Sequence, residues 1–264
     1  MSESVRSKRI YILPNLLTTG GMFFGFYAIV MGLSGKFEMG ALGIVIAGIF
    51  DALDGRVARA MNAVSAFGKE YDSLADFLSF GMAPAILVHQ WALAPFGRLG
   101  WAAAFFFVAC SALRLARFNV QTSAPDPRIS NRYFQGMPTP AAAGIVSALI
   151  LFANDTDLFA VGKVEAHGFE AWFTLLLVFA LGALMVSNLR FRSMKDFTGH
   201  RRKPFLTLVA AAGLITVLTI HLTTTLLAIG LFYIVSVLHS HREYQRLLAE
   251  GKEVERDEAE EFSL

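Results

Sequence analysis

The sequence predicts an all-α, polytopic integral membrane protein with about eight transmembrane helices. Of the 264 residues, 55% are hydrophobic and only 17% are charged, which is too little charge for a soluble domain of this length. The apolar residues come in runs of roughly 20, the length that a helix needs to span a bilayer. These runs are continuous rather than alternating in period two, which argues against a β-barrel.

Eight candidate spans can be placed along the chain, at residues 12–33, 39–60, 72–94, 99–119, 137–154, 170–189, 204–220 and 222–240. The N-terminus is basic and then apolar without a small-residue cleavage site, so the first run is predicted to be an uncleaved span. The expected organisation is a membrane domain over residues 1–240 and a charged tail over 241–264. Within that domain, a core at about 10–200 precedes two additional helices at 204–240.

The distribution of Lys and Arg predicts the orientation. All 23 basic residues except Lys36, Arg98 and Lys163 fall on one side of these spans. Because positive charge concentrates on the cytoplasmic side, both termini are predicted to be cytoplasmic. The segment between spans two and three is then expected at the cytoplasmic face of the cell (inner) membrane.

That segment, Asp51 to Asp76, reads DALDGRVARAMNAVSAFGKEYDSLAD and holds four aspartates between two apolar runs. Carboxylates at the ends of membrane-length segments are costly there and mark functional sites. On helices the aspartates form two pairs, each sharing a face with small residues: Asp51 and Asp54 with Gly55 and Ala58, and Asp72 and Asp76 with Gly68. If the two helices face each other, the four carboxylates surround one point.

Four carboxylates around one point cannot all stay ionised at low dielectric without compensation. All-oxygen ligation suits Mg²⁺, Mn²⁺ or Ca²⁺ rather than zinc, and bridging carboxylates can hold two ions. Such cations bind phosphate oxygens, and Arg56, Arg59 and Lys69 lie beside the cluster. The spacing leaves three alternatives open: a site for a phosphate-bearing substrate, an ion pathway as in a cation transporter, and a structural Asp–Arg network.

The same stretch resembles the signature of the CDP-alcohol phosphotransferase family. Asp51-x2-Asp54-Gly55-x2-Ala58-Arg59-x8-Gly68-x3-Asp72-x3-Asp76 matches that signature at all eight fixed positions and in every spacing. The resemblance implies a six-helix membrane core, a homodimer and a site for two metal ions. It further implies transfer of a phosphatidyl group from CDP-diacylglycerol to an alcohol, with release of CMP.

The resemblance also implies roles for individual residues. Metal ligands would be Asp51, Asp54, Asp72 and Asp76, with Mg²⁺ or Mn²⁺ as the expected ion and Ca²⁺ able to occupy a site. The CDP site would be lined by Gly55, Ala58, Arg59 and Gly68. Asp76 would additionally act as the catalytic base, because a hydroxyl is a poor nucleophile near neutral pH and needs a base within hydrogen-bond reach.

The signature does not select the acceptor alcohol, but other segments resemble the serine-accepting branch of the family. These are Arg114–Asn119, Tyr133–Ala143, and Leu184–Ser187 continuing to Arg192 and Lys195. Pro14–Thr18 is similar too, although Gly21 stands where that branch has a further Asn. Gly21 and Gly25 form a small-x3-small pattern that is suited to close helix contact.

Serine is a zwitterion, and its carboxylate needs a cation. Arg114 and Arg117 share one helical face and are predicted to bind that carboxylate through their planar guanidinium groups; Asn119 and Ser79 are further candidates. The alternative is that the arginines mark the cytoplasmic boundary or contact lipid phosphates. The expected reaction joins CDP-diacylglycerol to L-serine. Glycerol 3-phosphate or inositol phosphate would need a denser basic pocket, and choline an aromatic cage.

Two features outside the signature also give predictions. The single cysteine, Cys110, excludes an internal disulfide framework and is predicted to be a buried structural thiol. His89 and Trp91, near the far end of the third span, are typical of the aromatic belt at a membrane interface.

Overall fold

The computed structural model describes residues 12–61, 63, 65–123, 133–156, 168–192, 223–225, 227, 228 and 230. Within these residues the fold is helical except for one short pair of strands. The helices are α1 (Ile12–Leu33), α2 (Phe37–Ala60), α3 (Ala66–Asp76), α4 (Ala83–Val88), α5 (Arg98–Ser123), α6 (Thr139–Asp155) and α7 (Phe169–Val186). The strands are β1 (Tyr133–Gln135) and β2 (Arg190–Arg192), which pair in antiparallel orientation.

Helical winding changes several times between α3 and α5. A π-helical segment, Phe77–Met82, joins α3 to α4, and a second one, His89–Leu93, follows α4 and leads into a 3₁₀ turn at Ala94–Phe96. π-Helical turns are rare and often lie at functional sites. The first of them begins directly after Asp76.

The six predicted spans that fall within the described residues coincide with helical segments. In the part of the chain that the structure describes, four segments are long and apolar enough to cross a membrane, at Ile12–Leu33, Ala66–Phe96, Arg98–Gln121 and Phe169–Val186. Helix α6 is apolar but only 17 residues long, and α2 is long but carries several charged residues towards its end. The helical membrane class is therefore confirmed, whereas the number of crossings and the orientation stay predictions.

The last two predicted spans, 204–220 and 222–240, and the tail at 241–264 lie outside the described residues, apart from residues 223–225, 227, 228 and 230, which are helical.

Helix α1 packs against its neighbours through small residues. Its buried side chains recur every three or four positions and form one face: Pro14, Thr18, Gly21, Gly25, Ala28 and Gly32. A Cβ added at Gly21 would lie 3.5 Å from the carbonyl oxygen of Ala47 in α2, and one at Gly25 would overlap Ser79 in the first π-helical segment. The close contact predicted from the small-x3-small pattern is confirmed, and it joins α1 to both helices that carry aspartates.

Helix α6 supplies much of the core. Most of its residues are buried, and Ile150 and Val146 are each 1% exposed. Cys110 is buried, as predicted. Trp91 is only 4% exposed and belongs to the same core cluster, so its predicted place in an interfacial belt is wrong. Phe105, by contrast, is 59% exposed, as expected for a side chain that faces lipid.

A turn at Gly136 joins β1 and α6 to the end of α7. The Gly136 N–H donates to the carbonyl oxygen of Leu189 at 3.0 Å, and the Met137 N–H donates to that of Leu184 at 3.0 Å. Gly136 has a φ of 79°, in the left-handed region that favours glycine. The chain can therefore reverse here while keeping both hydrogen bonds.

Replacing Gly136 by Ala is expected to destabilise the protein. A left-handed residue with a side chain is disfavoured by about 1–2 kcal/mol, and the new Cβ would also overlap the carbonyl oxygen of Met185, adding about 1–3 kcal/mol of overpacking. Gly35→Ala is the matched control, because Gly35 has a φ of 73° but no atom within 4 Å of the added Cβ. Thermal unfolding in detergent should show a clearly larger loss for Gly136→Ala; equal shifts would contradict the contact with Met185.

Candidate active site

The second half of α2 and the second half of α3 carry the four aspartates. Asp51 and Asp54 lie on α2, and Asp72 and Asp76 lie on α3. Ser65 caps the N-terminus of α3, where its Oγ accepts a hydrogen bond of 3.0 Å from the Gly68 N–H. The cap satisfies one of the backbone amides that a helix start leaves unpaired, and it defines where the helix with the second aspartate pair begins.

The carboxylates of Asp51, Asp72 and Asp76 form one cluster, in which one oxygen from each residue lies within 4.8 Å of the others. Asp54 is not part of this group, and its Oδ2 accepts a hydrogen bond of 2.7 Å from the Thr18 hydroxyl. A narrow cavity of about 10 Å³ is lined by all four aspartates. That volume is about the least that holds a single water molecule, so the space between the carboxylates suits an ion.

The donor set fits a hard divalent cation. Carboxylate oxygens are the ligands that Mg²⁺, Mn²⁺ and Ca²⁺ prefer, and clustered, partly buried carboxylates need a compensating charge. Arg114 interacts electrostatically with Asp51 and Asp76, but its single positive charge does not balance four carboxylates. The acidic cluster can therefore hold a metal ion.

A larger cavity of about 250 Å³ adjoins the cluster, and Asp54 and Asp72 line both cavities. All four residues that the resemblance assigns to CDP lie in its lining: Gly55, Ala58, Arg59 and Gly68. Lys69 lines it as well, whereas Arg56 is exposed and is not part of the lining. The cavity thus combines two cationic side chains with two carboxylates and several small residues, which suits an extended phosphate-bearing ligand.

The three segments assigned to the acceptor come together at one end of the bundle. Arg114 Nη1 donates to Thr139 Oγ1 at 3.2 Å, which ties α5 to α6. Arg117 Nη1 donates to the carbonyl oxygen of Val186 at 3.1 Å, which ties α5 to the end of α7. Together with the hydrogen bonds of Gly136 and Met137 described above, these contacts connect segments that are far apart in the sequence.

The two predicted arginines take different positions. Arg114 is half-buried and close enough to Asp51 and Asp76 to interact with both carboxylates. Arg117 instead binds the last carbonyl group of α7, where the helix dipole favours a cation. The charge of Arg114 thus acts on the acidic cluster, although Arg114 lines neither cavity, and Arg117 binds a helix end.

The other two acceptor candidates also differ. Ser79 is 2% exposed, donates to the carbonyl oxygen of Gly21 at 3.3 Å and lines the narrow cavity with the aspartates. Asn119 Nδ2 donates to Ser73 Oγ at 2.9 Å, and the Asn119 carbonyl oxygen accepts from Lys69 Nζ at 3.4 Å. Asn119 lines neither cavity; its contacts hold α5 against α3.

Sequence reasoning missed Thr18 as a site residue. Its hydroxyl bonds to Asp54, which is 36 positions away in the chain, and it lines both cavities. The sequence feature that could have indicated Thr18 was its place in the Pro14–Thr18 segment, which resembles the serine-accepting branch. Helical spacing, however, does not reveal a hydrogen bond between two helices.

A helical membrane bundle with a carboxylate cluster beside a cavity lined by cations defines a membrane-embedded enzyme that acts on phosphate groups. Residues 11–176 match the profile of a family described as CDP-alcohol phosphatidyltransferase. The chain belongs to the CDP-alcohol phosphatidyltransferase family, and it is a phosphotransferase. This confirms the resemblance found in the spacing of the aspartates.

Several relatives with assigned names are similar to this chain. A CDP-diacylglycerol–serine O-phosphatidyltransferase of Helicobacter pylori is 40% identical over 186 residues, which are 70% of this chain and 74% of the relative. The enzyme of the same name from Mycobacterium leprae is 34% identical over 198 residues, or 74% of this chain and 63% of the relative. An archaetidylserine synthase of Methanothermobacter thermautotrophicus is 32% identical over 181 residues, or 68% and 69%.

Proposed function

We propose that this protein is an integral membrane CDP-diacylglycerol–serine O-phosphatidyltransferase. It transfers the phosphatidyl group of CDP-diacylglycerol to the hydroxyl of L-serine and forms phosphatidylserine and CMP. The observation that carries the proposal is the cluster of Asp51, Asp72 and Asp76 beside a cavity whose lining includes every residue expected at CDP. The choice of serine is supported by relatives that are 34–40% identical and carry that enzyme name.

The larger cavity is the proposed site for the CDP part of the donor. Small residues at Gly55, Ala58 and Gly68 leave room for the nucleotide, and the cations of Arg59 and Lys69 suit phosphate oxygens. The four aspartates would hold Mg²⁺ or Mn²⁺, as one ion or two. A bound ion would neutralise charge on the pyrophosphate as CMP departs.

Asp76 is the proposed catalytic base. It takes the proton of the serine hydroxyl, and the serine oxygen forms a bond to the phosphorus that bears the lipid. The bond from that phosphorus to the CMP oxygen breaks, and CMP leaves with the electron pair. Asp76 is suited to this role because it belongs to the carboxylate cluster and lines the narrow cavity, so a hydroxyl could reach it beside the donor phosphates.

Arg114 is the proposed cation for the serine carboxylate. It lies near the carboxylates of Asp51 and Asp76, and a guanidinium matches a carboxylate in planar geometry. Arg114 lines neither cavity, whereas Ser79 lines the narrow cavity together with the four aspartates and is a second candidate to contact serine. Arg117 and Asn119 were predicted to bind serine as well, but we assign them to holding the acceptor segments, since Arg117 binds the end of α7 and Asn119 binds Ser73 of α3. Arg114 also bonds to a neighbouring helix, at Thr139, but its charge additionally acts on Asp51 and Asp76.

We further propose that the enzyme is a homodimer of chains with about eight spans in the cell (inner) membrane. Its active site would face the cytoplasm, and both termini would lie on that side. The basic residues of the sequence support this orientation, and the dimer is suggested by the family resemblance. The expected division into a membrane domain over residues 1–240 and a tail over 241–264 is part of the same proposal.

An acceptor panel tests the function. Purified protein in detergent receives CDP-diacylglycerol, Mn²⁺ or Mg²⁺, and one of L-serine, glycerol 3-phosphate, inositol phosphate or choline, with a reaction lacking acceptor as control. We expect CMP release only in the reaction that contains serine as the acceptor, and labelled serine should appear in the lipid product. CMP release with glycerol 3-phosphate but not with serine would overturn the acceptor. Cation flux through vesicles without nucleotide would favour a transporter instead.

A further inference from the structure

Thr18 lies on α1, outside the eight-position signature, yet it reaches the acidic site. Its hydroxyl donates to Asp54 Oδ2 at 2.7 Å. Thr18 and Asp54 are each only 6% exposed, so little water competes for this hydrogen bond. A short bond from a hydroxyl to a carboxylate belongs to the stronger class of hydrogen bonds in proteins.

The single hydroxyl proton of Thr18 has two acceptors within reach. Besides Asp54, the carbonyl oxygen of Pro14 lies 3.1 Å from Thr18 Oγ1. The carboxylate is the shorter and more strongly charged acceptor, so it takes the proton. The contact with Pro14, one turn earlier in α1, places the hydroxyl where it can reach Asp54.

Asp54 differs from the other three aspartates in its surroundings. It lies outside the group formed by Asp51, Asp72 and Asp76, but it lines both the narrow and the larger cavity. The terminal torsion of an aspartate has a broad energy profile, so the carboxylate could turn towards either space. The bond from Thr18, together with one from the backbone N–H of Gly55, restricts this rotation.

Helix α1 is itself held firmly against both acidic helices. Gly21 faces Ala47 of α2 at close range, and Gly25 faces Ser79, which follows α3. Thr18 is on the same buried face of α1. Its hydroxyl is therefore held at a set position relative to both pairs of aspartates.

We propose that Thr18 is a positioning residue that orients Asp54 for metal binding, an inference that rests on the function proposed above. Groups that orient a metal ligand from behind typically change metal affinity about 10–100-fold when they are removed. Thr18 would thus determine how tightly the acidic site holds its ion, although it does not touch the ion itself.

The test is a titration of the purified full-length protein with Mn²⁺, in which free Mn²⁺ is followed by electron paramagnetic resonance. Thr18→Val removes the hydroxyl at nearly constant shape and should weaken Mn²⁺ binding about 10-fold or more. Thr18→Ser keeps the hydroxyl and should bind nearly as well as wild type. Thr19→Val is the control, because the exposed Thr19 hydroxyl bonds only to the Asn15 carbonyl oxygen and to Tyr71 among its described contacts.

Two outcomes would overturn the role of Thr18: unchanged Mn²⁺ affinity in Thr18→Val, or an equal loss in Thr18→Val and Thr18→Ser, which would implicate shape rather than the hydroxyl. If Thr18→Val does not fold, Thr18→Ala is compared with Thr18→Ser by the same titration. The titration needs neither lipid nor serine, so it is independent of the acceptor panel. A wild-type protein that binds Mn²⁺ but releases no CMP with serine would refute the proposed function, and the role of Thr18 would still be decided by the Mn²⁺ affinities of Thr18→Val and Thr18→Ser.

Discussion

Replacing Asp76 by Asn is expected to lower the rate of CMP release with serine by roughly 10²–10⁴-fold, the usual contribution of a general base. The amide has the shape of the carboxylate but cannot take the proton of the serine hydroxyl. Asp76 also belongs to the cluster with Asp51 and Asp72, so the substitution removes one negative charge from the proposed ion site. Both effects act in the same direction.

The two roles of Asp76 can be separated. The initial rate of CMP release is measured at saturating CDP-diacylglycerol and Mn²⁺, and Mn²⁺ affinity is measured on the same variant. If Asp76 acts as the base in addition to binding the ion, Asp76→Asn should lose most of its activity even at saturating Mn²⁺. Asp155→Asn is the control, because Asp155 bonds to Thr223 at 2.8 Å and lies at the opposite end of α6 from Thr139. A rate for Asp76→Asn close to that of wild type would refute the base assignment.

Replacing Arg114 by Gln is expected to raise the KM for serine about 10-fold or more, since a hydrogen bond to a charged group contributes about 1.5–3 kcal/mol and Arg114 is half-buried. The charge of Arg114 acts on Asp51 and Asp76 of the acidic cluster, next to which the proposed mechanism places serine. The KM for CDP-diacylglycerol should change much less. Arg114→Lys keeps the charge but loses the planar guanidinium, so its KM for serine should lie between those of wild type and Arg114→Gln.

Arg117→Gln is the matched comparison for Arg114. It removes a cation that binds the carbonyl oxygen of Val186 at the end of α7. We expect a lower thermal stability, with little selective change in the KM for serine. If Arg117→Gln raised that KM more than Arg114→Gln did, the roles assigned to the two arginines would have to be exchanged.

Much of the site could be predicted because its essential groups are local in sequence. Asp51 and Asp54 are one turn apart, as are Asp72 and Asp76, so helical periodicity alone places each pair on one face. Long apolar runs predicted the positions of the helices for the same reason. Helix Ile12–Leu33 has the predicted bounds, and helix Phe37–Ala60 begins two residues before the predicted span 39–60. Local patterns report local geometry well.

Contacts between distant segments could not be predicted in this way. Strand β1 has three residues and pairs with a strand of equal length more than fifty positions later. Three residues are too few for the alternation of apolar and polar side chains that identifies a strand in a sequence. The different positions of Arg114 and Arg117 depend on which helices pack beside α5. Trp91 was misplaced because an aromatic residue near a span end fits an interface and a core equally well.

The π-helical segment after Asp76 was also outside what periodicity could indicate. Regular α-helical spacing assumes 3.6 residues per turn, whereas Phe77–Met82 is wound more widely. Residues beyond Asp76 therefore do not lie on the helix faces that ideal α-helical spacing predicts for them. Ser79 nevertheless lines the cavity with the aspartates, because it lies within the first turn after them.

The end of α7 is joined to the other acceptor segments through main-chain oxygens. The carbonyl groups of Leu184, Val186 and Leu189 accept the hydrogen bonds from Met137, Arg117 and Gly136. Every amino acid offers the same carbonyl group, so mutation at these three accepting positions leaves the bonds available. The side chains at these three positions can therefore change while the hydrogen bonds that close this end of the bundle are kept.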